Sequence, residues 1–154
     1  MDQPFWDGQL PFNERQNIEE YQRSTEPAIG QFISALSDQG MAPLPDSTSE
    51  LTKCGSAGID GYTVTGPLFF GTYVDRDIVV QKATDILKPA GFTEFIENDS
   101  DIGTINLWWF NTEDGGYVNV GINEKNNRAA IDYQSGCRPS DGSTTGIATD
   151  RIMP

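Results

Sequence analysis

The sequence predicts an α+β domain of two layers, in which helices pack against an antiparallel β-meander and one disulfide closes the fold. Apolar residues have helical spacing in two segments, and four short alternating segments follow one another after residue 91. The two cysteines of the chain flank the part where these patterns are strongest. With 154 residues, of which 36% are hydrophobic, the chain is large enough for one domain with a buried core.

The chain divides by composition into three parts. Residues 1–12 (MDQPFWDGQLPF) mix proline, glycine and aromatic residues without a period, which predicts an extended N-terminal arm or the remnant of a tether. Residues 13–138 form the predicted single α+β domain. Residues 139–154 are polar, which predicts a flexible C-terminal tail.

The first helical segment covers residues 13–39. Its apolar residues fall into two stripes, first Ile18 and Tyr21, then Ile29, Phe32, Ile33 and Leu36, and Gly40 ends the pattern. Pro27 interrupts the segment. A proline inside a helix kinks or divides it, unless Ser24 or Thr25 caps a second helix and places Pro27 in its first turn.

Residues 41–61 are rich in Pro, Ser, Thr and Gly, which predicts a long ordered loop fixed at Cys54. A strand is expected at residues 62–70. A helix then begins with Asp75 as its N-cap and ends at Pro89 and Gly91. Its buried side is expected to carry Val79, Ala83, Ile86 and Leu87. Four strands of a meander follow, at residues 92–97, 104–111, 117–123 and 129–135.

Two turn signals predict the register of this meander. A two-residue turn at Asp114-Gly115 pairs Trp109 with Val120, and a similar turn at Asn126-Asn127 pairs Val120 with Tyr133. One face of the sheet is then apolar and is expected to lie under the helix that follows Asp75. It consists of Leu107, Trp109, Val118, Val120, Ile122, Ile131 and Tyr133.

The opposite face mixes aromatic rings with amides and a carboxylate: Trp108, Phe110, Asn119, Asp132 and Gln134. Flat rings beside a few hydrogen-bonding groups are typical of sugar or peptide recognition, so these five residues are the candidate ligand-binding site. The predicted register aligns Trp108 with Gly121 and Asp132, and Phe110 with Asn119 and Gln134. The alternative is that Trp108 and Phe110 are buried under the N-terminal helices or the loop around Cys54, with Trp108 covering the bare backbone at Gly121.

Composition excludes several classes of function. The chain has 10 Lys and Arg against 23 Asp and Glu, a net charge of −13, and no basic patch, so nucleic-acid binding is not expected. It has no histidine, which excludes Ser-His and Cys-His catalysis and imidazole metal sites. No apolar run reaches the roughly 18 residues of a membrane-spanning helix.

Carboxylates occur in groups, at Glu19-Glu20, at Glu113-Asp114 and around Glu97, so a hydrolase with two carboxylates is a third possible class. At this net charge such groups are expected on the surface. Residues 97–103 (ENDSDIG) resemble half of a calcium loop, but Ile102 stands where that pattern needs glycine and no acidic residue closes it, which predicts a hairpin turn. We therefore expect no enzymatic activity, no metal and no cofactor.

Cys54 and Cys137 lie in no CxxC pair and predict a disulfide, with two buried free thiols as the alternative. A closed loop of this length contributes about 4.5 kcal/mol in the chain-entropy model, which suits an exported domain. The start Met1-Asp2-Gln3-Pro4 shows no signal peptide, so we expect either a cytosolic protein or an exported one whose targeting segment is removed. The cysteines favour export.

Several segments follow one another in a recognisable order: an early helix, KCGSAGIDGYTVTGPLFFG, a strand-helix unit ending in KPAGF, a three-strand meander, and SGCRP around Cys137. This layout, over residues 13–139, resembles actinobacterial cell-envelope lipoproteins of the mycobacterial LppA type, whose function is unknown. The resemblance implies that the two cysteines form a disulfide. It also implies attachment outside the membrane through a lipidated cysteine, which these residues do not include, and it supplies no catalytic residues.

The sequence therefore predicts an exported, lipoprotein-like domain of the cell envelope that acts as a non-enzymatic binding module. We expect it on the extracellular face of the membrane or secreted, with an envelope glycan or peptide as its ligand and membrane contact only through a lipid anchor. The alternative is an acidic inhibitor or immunity-type protein, with a possible cytoplasmic location, that its charge of −13 steers to a basic protein.

Overall fold

Helices lie against one face of an antiparallel sheet in the structure, a computed structural model that describes residues 8–37, 41–42, 48–54, 61–142 and 151–152. The predicted α+β class is confirmed. Within these ranges, every helix is too short or too polar to be a transmembrane segment.

The N-terminal helical segment is continuous. After a 3₁₀ turn at Phe12–Glu14, helix α1 (Ile18–Glu20) leads through a π-helical turn (Tyr21–Thr25) into helix α2 (Glu26–Ser37). The N-cap is Asn17, whose Oδ1 accepts a 2.8 Å hydrogen bond from the backbone N–H of Glu20.

The prediction that Ser24 or Thr25 caps a separate second helix is wrong. Both residues lie inside the π-helical turn, where the N–H of Glu26 bonds to the carbonyl of Tyr21 five residues earlier. Because Pro27 has no N–H to donate, this wider turn lets the chain pass the proline without leaving the helix. The predicted stop at Gly40 lies outside the described residues.

The sheet contains all the strands of the described chain. Their bounds are β1 Met41–Ala42, β2 Thr48–Cys54, β3 Gly61–Thr65, β4 Phe69–Gly71, β5 Glu94–Asp99, β6 Ile105–Phe110, β7 Tyr117–Asn123, β8 Arg128–Gln134, β9 Arg138–Pro139 and β10 Arg151–Ile152. The main strand order is β10-β2-β3-β8-β7-β6-β5, while β4 joins β8 to β1 and β9 pairs with β3. The four predicted meander strands are confirmed as β5 to β8.

Two predictions for the middle of the chain are wrong. The predicted loop at 41–61 contains strand β2, which pairs with β3 along its length, whereas residues 43–47 and 55–60 lie outside the described residues. The predicted strand at 62–70 is divided into β3 and β4, because Gly66-Pro67 interrupts it. As a result β3 and β4 pair with successive parts of the same neighbour, β8.

Helix α3 (Arg76–Ile86) begins as predicted. The Asp75 carboxylate accepts a 3.0 Å hydrogen bond from the N–H of Asp77, and a turn at residues 87–91 ends the helix. Val79, Ala83 and Leu87 are buried in the core as predicted, whereas Ile86 is only partly buried against it.

The meander pairs in a register that differs by two residues from the predicted one. Trp109 pairs with Val118 rather than Val120, and Val118 in turn pairs with Tyr133. The turns are longer than the two-residue type, because the N–H of Asn111 bonds to Gly116 and both turns include four or more residues. Since side chains alternate with a period of two, this slip leaves each side chain on its predicted face.

The apolar face of the meander and the helices form one core. All seven residues predicted for this face are buried in it, and the rings of Phe32 on α2 and Trp109 on β6 meet edge to face at 6.0 Å. The predicted disulfide between Cys54 and Cys137 is confirmed, with Cα atoms 6.0 Å apart.

Parts of the predicted arm and tail are held by the domain. The N–H groups of Gln9 and Leu10 bond to the carbonyls of Thr112 and Glu113 in the β6–β7 turn. After β9, the hydroxyl of Ser140 donates a 2.6 Å hydrogen bond to Glu19, and β10 pairs with β2. Residues 1–7, 143–150 and 153–154 lie outside the described part, so the predicted domain limits stay a prediction.

Candidate functional site

The candidate site lies on the sheet face opposite the helices, which we call the outer face. All five predicted site residues are on it, but their rows differ from the predicted ones. Trp108, Asn119 and Asp132 form one row across β6, β7 and β8. Gly121 aligns with Asn106 and Ala130 instead, so the prediction that Trp108 covers the backbone of Gly121 is wrong.

Three aromatic rings form a cluster in the outer face. Trp108 and Phe110 lie nearly parallel with ring centroids 5.9 Å apart, and Tyr117 meets Trp108 edge to face at 5.3 Å. Phe110 is only 7% exposed and Trp108 is half-buried. The helices pack on the other face of the sheet, so they do not bury these rings. The other part of the alternative, burial under the loop around Cys54, stays a prediction, because residues 55–60 lie outside the described part of the chain. Tyr117 was not predicted here because the register slip brought it into the row of Phe110.

Polar side chains stand beside these rings. The Tyr117 hydroxyl donates a 3.3 Å hydrogen bond to Asp132, and the Asn119 amide donates one of 3.3 Å to the Leu107 carbonyl. Burial raises the pKa of Asp132, although the bond from Tyr117 opposes this effect. Burial and the nearby Asp132 raise the pKa of Tyr117 to about 12. Gln134 is half-buried in the row of Tyr117 and Phe110.

A depression of about 340 Å³ lies next to this cluster on the outer face. Its floor carries almost no side-chain atoms, because Gly121 and Ala130 lie side by side in adjacent strands. Phe70 stands at its border with 46% of its surface exposed. Its remaining lining is mostly amide and small side chains: Ile102, Thr104, Asn106, Asn119, Asn123, Asn126, Arg128 and Ala129.

Two amides in this depression have unused hydrogen-bonding atoms. Asn119 is 9% exposed, and its Oδ1 accepts no hydrogen bond from the described residues. Asn106 is half-buried, and no described residue bonds to its side chain. A polar ligand in the depression would engage these atoms, because they can form hydrogen bonds that no described residue supplies.

Sequence reasoning missed Phe70, Asn106 and Arg128 as members of this site. Alternation along the predicted strand at 104–111 placed Asn106 on the correct face, but the assumed two-residue turns did not bring it next to Gly121. Arg128 lay just before the predicted strand at 129–135 and was therefore assigned to no face; in the structure it is the first residue of β8 and pairs with Asn123. Phe70 was assigned to a single strand with residue 62, and only the break at Gly66-Pro67 brings it beside Ala130.

A second depression, of about 320 Å³, lies between the turn at residues 87–91 and the β6–β7 turn. Its polar groups already serve the fold. Asn111 Oδ1 accepts the N–H groups of Glu113 and Asp114, and Asp114 accepts the N–H of Gln16 at 2.7 Å. We therefore place the candidate site on the outer face.

The carboxylates that suggested a hydrolase also have local partners. Glu97 forms an ion pair with Arg76, Glu20 with Arg23, and Glu19 accepts hydrogen bonds from Ser140 and Asp141. The segment 97–103 contains the end of β5 and the predicted hairpin turn before β6, in which Ser100 Oγ accepts the N–H of Thr104. In the described ranges, no three Asp, Glu or Cys side chains are grouped closely enough to hold a metal ion.

Comparison with known proteins identifies a family and a fold. Residues 14–146 match the family described as Domain of unknown function (DUF4853). A crystal structure at 2.65 Å of a DUF4853 family protein from Actinomyces odontolyticus ATCC 17982 is similar over 94% of this chain and 81% of that one, with a TM-score of 0.68 and 22% identity. No curated protein matches. The comparisons give no evidence for the LppA-type resemblance, and the chain belongs to the DUF4853 family.

Proposed function

We propose that this chain is an exported, non-enzymatic module that binds a glycan on its outer face. The observation that supports it most directly is the depression, in which an exposed ring at Phe70 borders a floor of small residues and two amides with unused hydrogen-bonding atoms. A sugar ring presents a flat apolar side and a rim of hydroxyl groups, which match an aromatic ring and amides respectively.

The bare floor favours this ligand over a peptide. A peptide commonly adds to the edge of a sheet through its backbone, whereas this depression lies within the sheet, over β6, β7 and β8. The backbone groups of these strands are already paired with one another, so a ligand here contacts side chains and apolar surface. Trp108 lies in the neighbouring row and extends the surface for a second sugar unit.

Export is supported by the disulfide. Disulfides persist mainly in oxidising compartments, and Cys54–Cys137 links β2 to the end of the meander across 83 residues. The intact mass of the natively produced protein, with thiol labelling before and after reduction, tests this part. An oxidised pair with a lipid or a cleaved signal supports export, whereas free thiols and an unprocessed Met1 would contradict it.

Glycan binding is tested with a panel of neutral oligosaccharides, including chitotetraose and xylotetraose, by isothermal titration calorimetry. We expect one of these oligosaccharides to bind. Phe70→Ala should weaken its affinity by roughly tenfold, because the lost contact with the ring contributes about 1.4 kcal/mol to the binding free energy. Leu68→Ala is the matched control, because Leu68 is 44% exposed but does not line the depression.

A second variant separates binding from folding. Because no described residue bonds to the Asn106 side chain, Asn106→Ala is expected to weaken binding without lowering the free energy of unfolding. Failure of all these oligosaccharides, together with failure of the acidic probe described in the next subsection, would overturn the proposal. Tight, salt-dependent binding to a basic protein in their place would favour the inhibitor hypothesis.

A further inference from the structure

We propose that the depression on the outer face recognises an acidic glycan, and that Arg128 binds its carboxylate; this inference rests on the proposed function. Arg128 is the first residue of β8 and lines the depression. It is exposed, and no described residue forms an ion pair or a hydrogen bond with its side chain.

This lack of a partner is unusual among the arginines of the described chain. The net charge is −13, so carboxylates are abundant, and the other arginines with described side chains all have partners. Arg15 donates to the Cys137 carbonyl, Arg23 pairs with Glu20, Arg76 pairs with Glu97, and Arg138 donates to the Ser135 carbonyl. Arg128 is the exception among them, and it lies at the candidate site.

The rest of the lining fits one anionic group on an otherwise neutral ligand. Among the described residues, no carboxylate lines this depression. Besides Arg128, the polar side chains of its lining are amides and a threonine. The guanidinium of arginine binds a carboxylate through two parallel hydrogen bonds, which a neutral ester does not accept in the same way.

The charge of the whole chain limits how acidic the ligand is. A polyanion would meet repulsion from a protein of net charge −13, and this repulsion grows with each added charge. An oligosaccharide with one acidic sugar among neutral ones gains the contact with Arg128 and meets the least electrostatic repulsion. The free Oδ1 of Asn119 and the amide of Asn106 remain for hydroxyl groups of the neighbouring sugar.

The experiment uses two probes that differ only in charge: a xylotriose that carries one glucuronic acid, and the methyl ester of the same oligosaccharide. We expect the full chain to bind the acid at least tenfold more tightly than the ester in calorimetry, the usual value of a hydrogen bond to a charged group. Arg128→Gln should lower the affinity for the acid to that for the ester and leave the ester unchanged. Lys88→Gln, which makes the same change of charge at the end of α3, should change neither.

The outcomes separate this inference from the proposed function. If the acid and the ester bind equally well, or if Arg128→Gln weakens both alike, the role of Arg128 is overturned while glycan binding stands. If neither probe binds and the neutral oligosaccharides also fail, both proposals are overturned. A preference for the acid that disappears only in Arg128→Gln supports the inference.

Discussion

The guanidinium of Arg138 lies over the ring of Tyr21, 4.6 Å from its centroid, and both side chains are fully buried. Three segments meet at this arginine. It donates to the carbonyls of Ser135 and Gly115 at 2.9 and 2.8 Å, and to the side chain of Gln16 at 2.7 Å. Burial lowers its pKa, while the nearby Tyr21 acts in the opposite direction.

Replacing this arginine is expected to be severely destabilising. In Arg138→Met, the carbonyls of Ser135 and Gly115 remain buried without their donor, and each such loss costs about 1 to 3 kcal/mol. We therefore expect the free energy of unfolding in urea to fall by more than about 3 kcal/mol. Arg23→Met, at an exposed arginine, should cost under about 1 kcal/mol. Similar losses in the two variants would contradict the structural role of Arg138.

A second buried polar contact joins helix α2 to the sheet. The Tyr133 hydroxyl donates a 2.6 Å hydrogen bond to Glu26, and both residues are buried. Because Tyr133→Phe leaves the buried Glu26 without this donor, it should lower the free energy of unfolding by about 1 to 3 kcal/mol. Tyr62→Phe is the control, since no described residue bonds to its hydroxyl, and it should cost under about 0.5 kcal/mol. A double-mutant cycle with Glu26→Met, which removes the acceptor, measures the coupling, and a coupling near zero would refute the contact.

The sequence was sufficient to predict which face of the meander each side chain occupies. It was not sufficient to predict which residues of adjacent strands pair. Alternation alone places Trp108 outside and Trp109 inside, and any slip of two residues preserves that result. The rows depend on turn length. A type I′ turn at Asp114-Gly115 needs positive φ at both residues, but Asp114 is not among the residues with positive φ, and Gly115 and Gly116 are, at 94° and 97°. The turn is longer and covers residues 111–116, between the end of β6 and the start of β7.

Strand β2 shows why the pairing of separate segments could not be predicted from the sequence. Its sequence, TSELTKC, is largely polar, so neither hydrophobicity nor alternation distinguishes it from a loop. Its pairing with β3 supplies the backbone hydrogen bonds that make it a strand, and the sequence does not reveal that pairing. Arg128 was missed for a similar reason, because its lack of a partner depends on where the carboxylates of other segments lie.

The break between β3 and β4 makes Gly66 difficult to replace. Its N–H donates a 2.9 Å hydrogen bond to the Tyr133 carbonyl, and a Cβ atom there would lie 2.1 Å from the Tyr133 ring. Since overpacking a core costs about 1 to 3 kcal/mol, we expect Gly66→Ala to lower the melting temperature by several degrees. In Gly142→Ala the added atom meets nothing within 4 Å, and only the positive φ of 95° opposes it, so the loss should be smaller. An equal or smaller loss in Gly66→Ala would show that the Tyr133 ring moves aside.

The titration of Asp132 gives the outer face a pH-dependent effect on stability. Burial raises its pKa in the folded state, so the folded chain holds this proton to a higher pH than the unfolded chain, where aspartate has a pKa of about 3.9. Its contribution is therefore most favourable below the unfolded value and is lost as the pH rises through the folded one. Asp132→Asn should then become progressively more stable than the wild type between pH 3 and pH 7, as measured by urea unfolding at each pH.

Glu97 supplies a control of opposite sign for this measurement. Its hydrogen bonds with Arg76 lower its pKa, so its contribution is present above the unfolded value and is lost as the pH falls. Glu97→Gln should thus lose stability at pH 7, by under about 1 kcal/mol for a partly exposed pair, and lose little at pH 3. If the two variants showed the same dependence on pH, the net charge would account for both, and burial of Asp132 would not be the cause. If the stability of the two variants relative to the wild type changes with pH in opposite directions, the pH dependence is caused by Asp132 itself. The hydrogen bond from Tyr117 holds this carboxyl group beside Asn119 at the border of the depression.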